Sequence, residues 1–127
     1  MYRRILVAMD SSDMAKKALD RAVKLAQLTD SEIYVVTVMK EKSSHETAKA
    51  ERIIKEAEDY INSQGLNAET FIKEGEPPDE IVFLAMKKEI DLIVLGSRGE
   101  TGVRRILIGS TAQEVIRFAE CSVLVVK

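Results

Sequence analysis

Apolar residues along the chain fall into five short runs separated by stretches with helical spacing. Residues 3–9 (RRILVAM) are a β-branched and aliphatic run that predicts a first strand. From Met14 to Leu28 the apolar positions 15, 18, 19, 22, 23 and 26 keep a helical repeat, and most of them are alanines, which lets a helix lie close to a sheet. Thr29-Asp30-Ser31 breaks that pattern. Residues 32–39 (EIYVVTVM) are almost continuously apolar, as in a central strand buried on both faces. After a polar loop from Lys40 to Glu46, a second helix runs from about Glu46 to Ser63 with Ile53, Ile54, Ala57 and Ile61 on one face, and Gln64-Gly65 ends it. Residues 67–73 (NAETFIK) alternate polar and apolar, which suits an edge strand. Glu74 to Pro78 is a turn whose proline opens a third helix. A fourth strand at 91–96, a loop at 97–109, a fourth helix from Ser110 to about Phe118 and a fifth strand at 122–127 complete the chain.

Strand and helix alternate throughout. Right-handed crossovers then give a five-stranded parallel α/β sheet with helices on both faces, and strand one, the most apolar, belongs in its middle. Residues 1–127 form a single domain with no internal repeat, low-complexity segment or linker. Hydrophobic residues make up 46% and charged residues 31%, the balance of a soluble globular protein. A net charge of −2 argues against nucleic acid or an anionic membrane as the partner. No apolar run approaches the ~20 residues of a membrane span, and the N-terminal run is too short for a signal peptide. The one cysteine, Cys121, can make no internal disulfide, which fits a reducing cytoplasm, and with the one histidine, His45, it leaves no structural zinc set.

The candidate chemistry lies at the ends of strands one and four. Asp10 follows strand one at its carboxyl end, where ligands bind in open α/β sheets. It is either an acceptor for ribose hydroxyls or a cap for the first helix, for which Ser11, Ser12 and Asp13 are also available. The stretch from Asp91 to Thr111 (DLIVLGSRGETGVRRILIGST) is an apolar strand, a loop with glycines at 96, 99, 102 and 109, and a helix start. Those are the parts of a phosphate cradle, since glycine admits a close backbone approach and free amides at a helix N-terminus attract anions. Gly96 either ends a strand in a plain turn or keeps side chains out of a ribose crevice. Gly99 and Gly109 would bring backbone N–H groups to phosphate oxygens. Ser110 serves as an N-cap, in a capping box with Gln113, or as cap and phosphate ligand together, and Thr111 adds an amide. Arg98, Arg104 and Arg105 place three cations around this loop, of which at least one would meet a phosphate.

The spacing Gly96, two residues, Gly99, nine residues, Gly109-Ser110 resembles the nucleotide-binding signature of the universal stress protein family. The start, Ile5 to Ser12, and the end, Cys121 to Val126, look like that family's first and last strands, although Met9 replaces a commoner small or β-branched residue and Ser122 a frequent proline. The resemblance implies a Rossmann-like sheet, as in the adenine nucleotide alpha hydrolases, with strand order 3-2-1-4-5, which puts Asp10 and the Gly96 loop on one crevice. It implies ribose contact for Asp10, adenine recognition by the backbone of Val38, and phosphate contact for the 99–111 cradle. It also implies ATP as ligand, with Mg²⁺ bridging the phosphates rather than held by a protein metal site, and an antiparallel homodimer through the last strand, 122–127.

Competing motifs are absent. No Walker P-loop and no GxGxxG after strand one occur, nor is there an aspartate at the end of strand three for a response regulator. No nucleophile and base stand in a catalytic pattern, so the expectation is a binding protein with no catalytic residues, in which the nucleotide sets conformation in a stress response. A dimeric interaction module that binds no nucleotide is the alternative, and a flavodoxin-like cofactor carrier is a weaker one.

Overall fold

The computed structural model describes residues 2–99 and 108–127. Its elements run β1 (Arg4–Ala8), α1 (Asp13–Thr29), β2 (Glu32–Met39), α2 (Ser44–Ser63), β3 (Ala68–Glu74), α3 (Pro77–Lys87), β4 (Leu92–Gly96), α4 (Ser110–Phe118) and β5 (Ser122–Val126). The five strands form one sheet in the order β3-β2-β1-β4-β5, every pair parallel. The order is the one that the family resemblance implies, and the sequence pattern anticipates the central place of β1 and the edge place of β3. The alternating residues of β3 line one edge, and β5 lies at the other.

Side-chain alternation along the strands divides the core in two. Ile5 and Val7 of β1, Ile33 and Val35 of β2 and Val94 of β4 face α1 and α2. Leu6, Tyr34, Val36, Ile93 and Leu95 face α3 and α4. Such double burial explains the unbroken apolar runs of the central strands. The buried alanines of α1 (Ala15, Ala18, Ala22, Ala26) let its axis come close to the sheet.

Two local devices set the register from which the site is built. Asp91, just before β4, accepts hydrogen bonds from the backbone N–H groups of Arg3 (2.8 Å) and Arg4 (2.9 Å), tying the starts of β1 and β4 together. These two bonds hold its carboxyl below the usual carboxylate range, since they favour the charged form. At the other end of β1, Ser12 is the N-cap of α1, its hydroxyl accepting from the Ala15 amide at 3.1 Å.

Candidate functional site

Strands β1 and β4 are neighbours whose following helices leave on opposite faces of the sheet. A crevice must therefore open between their carboxyl ends. It measures about 670 Å³, and eight of the residues singled out by sequence line it: Asp10 and Val38 on one side, and Gly96, Arg98, Gly99, Gly109, Ser110 and Thr111 on the other. A smaller groove of about 390 Å³ between α1 and α2 touches Asp10 at its edge, and among the described residues its lining includes none from the glycine loop or α4. The chemistry therefore converges in the larger crevice.

The two carboxylate oxygens of Asp10 have different surroundings. Its Oδ1 accepts from the Ser12 amide (2.9 Å) and the Ser12 hydroxyl (2.5 Å), which orients the cap of α1 without Asp10 being that cap. Its Oδ2 receives no hydrogen bond from a described residue and looks towards Gly99, where an added Cβ would stand 3.0 Å away. One carboxylate oxygen is thus spent on the fold, and the other is left as an acceptor at the mouth of the crevice.

Val38 offers its main chain for a reason set by strand register. Within a strand the N–H and C=O of one residue point the same way, and alternate residues point to alternate neighbours. Val36 faces β1 and accepts from the Met9 amide at 2.8 Å, whereas Met39 faces β3 and accepts from Gly75 at 2.8 Å. Val38 therefore also points to the β1 side, but β1 has ended. Its N–H and C=O, unpaired among the described residues, open on the crevice as an adjacent donor and acceptor.

Contacts within the chain account for two of the glycines. At Gly96 a Cβ would lie 2.7 Å from the Met14 Cβ and 2.9 Å from its carbonyl carbon, so the first turn of α1 by itself demands this glycine. Gly109 does not present its N–H to a ligand. That amide donates to the Ser97 carbonyl at 2.5 Å, while the Ser97 amide donates to Val126 at 2.8 Å. Ser97, buried at the end of β4, therefore pins the two ends of the glycine loop together and to β5.

Ser110 is likewise not the N-cap. Gly109 occupies that position in an extended conformation (φ −72°, ψ 170°) and Ser110 is the first helical residue, so the capping box with Gln113 does not form. Gln113 instead turns its side-chain amide to the Ile108 carbonyl (2.8 Å). No side chain caps α4. The amides of Ser110, Thr111 and Ala112 have no acceptor within the helix and lie at the crevice wall, with the positive end of the helix dipole behind them. Half-buried Arg98 lines the same wall and has no ion-pair partner among the described residues. Gly102, Arg104 and Arg105 lie outside the described residues.

Two residues that no motif or spacing marks, Thr37 and Ser97, are the buried polar side chains of the described core, and both line the crevice. The signal for Thr37 was a lone hydroxyl near the end of an otherwise apolar strand. Cys121 lies half-buried at the start of β5, and burial pushes its thiol up, away from the reactive thiolate. Among the described residues no cluster of His, Cys, Asp and Glu could hold a metal ion, and no helix is long and apolar enough to cross a membrane.

A model of the universal stress protein family matches residues 1–127. A universal stress protein of Methanocaldococcus jannaschii is 35% identical over all of this chain and 83% of its own length. Among solved structures, the universal stress protein UspA of Lactobacillus plantarum superposes with a TM-score of 0.89 at 30% identity, covering 99% of this chain and 98% of the other. The universal stress protein of Archaeoglobus fulgidus in complex with dAMP superposes with a TM-score of 0.84 at 30% identity, again over 99% and 98%.

Proposed function

Because the chain belongs to the universal stress protein family, we propose that it binds an adenine nucleotide, ATP in the cell, in the crevice between β1 and β4. The observation that carries this reading is the convergence of three unsatisfied groups on one crevice. The Val38 main chain offers an N–H beside a C=O, which matches the ring acceptor and the amino donor on adenine's edge; guanine reverses that pattern. The free Oδ2 of Asp10 is an acceptor for ribose hydroxyls. The uncapped start of α4, with Arg98 beside it, is a seat for phosphates. The dAMP of the Archaeoglobus relative supports an adenine nucleotide as the ligand.

Mg²⁺ enters with the phosphates and keeps most of its waters, because the described residues supply no carboxylate cluster for it. The nucleotide is a regulatory ligand in a stress response rather than a substrate, and the protein works in the cytoplasm. Isothermal titration of nucleotide-free protein with Mg-ATP is expected to show one site per chain. Protein that binds no ATP and carries none through purification would leave only the interaction module.

The protein also pairs with a second copy through β5. This strand is bonded to β4 alone, and its 122–126 backbone is an open edge. Exposed Leu124 stands on it, and Ile116 and Phe118 of α4 are exposed beside it in the chain. Sedimentation equilibrium at micromolar concentration is expected to give a dimer. A monomer there would remove this part of the proposal.

A further inference from the structure

We infer that Thr37 is a specificity-determining contact, its hydroxyl bonding to the nucleoside end of the bound nucleotide beside the main chain of Val38. This rests on the nucleotide reading above and goes further, because it assigns a side chain on the β2 wall of the crevice.

Thr37 is only 4% exposed, and it lines the crevice. No described residue makes a hydrogen bond to its hydroxyl. Every sealed polar side-chain atom among the described residues does have a partner, so the Thr37 oxygen is not sealed in the core but opens on the crevice. Open to the crevice and without a protein partner, the hydroxyl adds no hydrogen bond within the fold, and valine would be a better strand residue of the same shape. Its place on the crevice wall suits a hydrogen bond to a ligand bound there.

The strand pattern says which end of a nucleotide that is. Ile33 and Val35 pack towards α1 and α2, and Val36 and Val38 towards α3 and α4, so Thr37 stands on the α1/α2 side. It directly precedes the free N–H and C=O of Val38, so two consecutive residues present three unpaired hydrogen-bonding groups. The phosphate seat at α4 belongs to the far wall, beyond β4. A nucleotide seated there, with its base on Val38, brings its nucleoside half to Thr37 and leaves its phosphates out of reach.

The test compares Thr37→Val and Thr37→Ser with the wild-type chain, titrating each with adenosine and with Mg-ATP and melting each without ligand. Thr37→Val is expected to weaken adenosine and ATP by the same factor, about threefold to tenfold. Its ligand-free melting temperature should stay at or above that of the wild type, and Thr37→Ser should keep most of the affinity. Unchanged affinity in Thr37→Val would overturn the inference. So would a loss confined to ATP, which would put the hydroxyl on the phosphates, and so would an equal loss in Thr37→Ser, which would implicate the methyl group. A clearly lowered ligand-free melting temperature in Thr37→Val would make the hydroxyl structural and overturn it too. A wild-type chain that binds neither ligand removes both this inference and the reading beneath it, whereas wild-type binding with an indifferent Thr37→Val removes this inference alone.

Discussion

Gly96→Val is expected to destabilise the protein by about 3 kcal/mol, an overpacking cost at the upper end of the usual range. For a domain of this size that lowers the melting temperature by about 10 °C. The cause is backbone, not side chain. A Cβ at position 96 would sit 2.7 Å from the Met14 Cβ and 2.9 and 3.0 Å from its carbonyl carbon and oxygen. Those atoms belong to the first turn of α1, which is held by the Ser12 cap and by the bonds from Ser12 to Asp10. The turn cannot swing aside as a flexible side chain would. Relief requires lifting α1 from β4, which uncovers the interface between its buried alanines and the sheet. Gly96→Ala should show the same effect at smaller size. Scanning calorimetry decides it, and a Gly96→Val protein melting within a degree or two of the wild type would mean that α1 does not cross β4 at this distance.

A second large effect is expected in binding. Asp10→Ala should weaken Mg-ATP by on the order of 10- to 100-fold, the range for hydrogen bonds to a charged acceptor. The fold should persist, because the Ser12 hydroxyl still caps the Ala15 amide when Asp10 is gone. Oδ1 serves Ser12 and Oδ2 serves no described residue, so the two oxygens separate the structural from the ligand role. Asp10→Asn should fall between, since its carbonyl oxygen can keep the Ser12 bonds while its amide replaces the free acceptor with a donor. Titration calorimetry paired with a far-UV spectrum distinguishes the outcomes. If Asp10→Ala binds ATP as tightly as the wild type, the carboxylate serves α1 alone. Conversely, lost binding together with lost helix would show that the two roles cannot be separated.

Local pattern by itself determined the elements, their alternation and the double burial of β1, β2 and β4. It also marked the edge character of β3 and the aspartate at the end of β1. A period of two or of 3.6 is a property of neighbouring residues, and parallel strands joined by helices leave few topologies to choose from. The Gly96-Gly99-Gly109 spacing likewise located the loop and the family. What each glycine is for was decided by contacts between residues far apart in the chain. Gly96 answers to Met14, and Gly109 spends its amide on Ser97. No spacing rule carries either fact, and the cap of α4 falls on Gly109 rather than Ser110 because the chain must there pass close to Ser97. Val38 looked like any other apolar residue of β2. Its main chain is available only because β1 stops one partner short of it, a matter of register between two strands. Thr37 was legible as a hydroxyl in an apolar strand, but its lack of a partner belongs to the packed structure. Sequence sets which way a residue faces, and the tertiary structure settles whether anything is there to meet it.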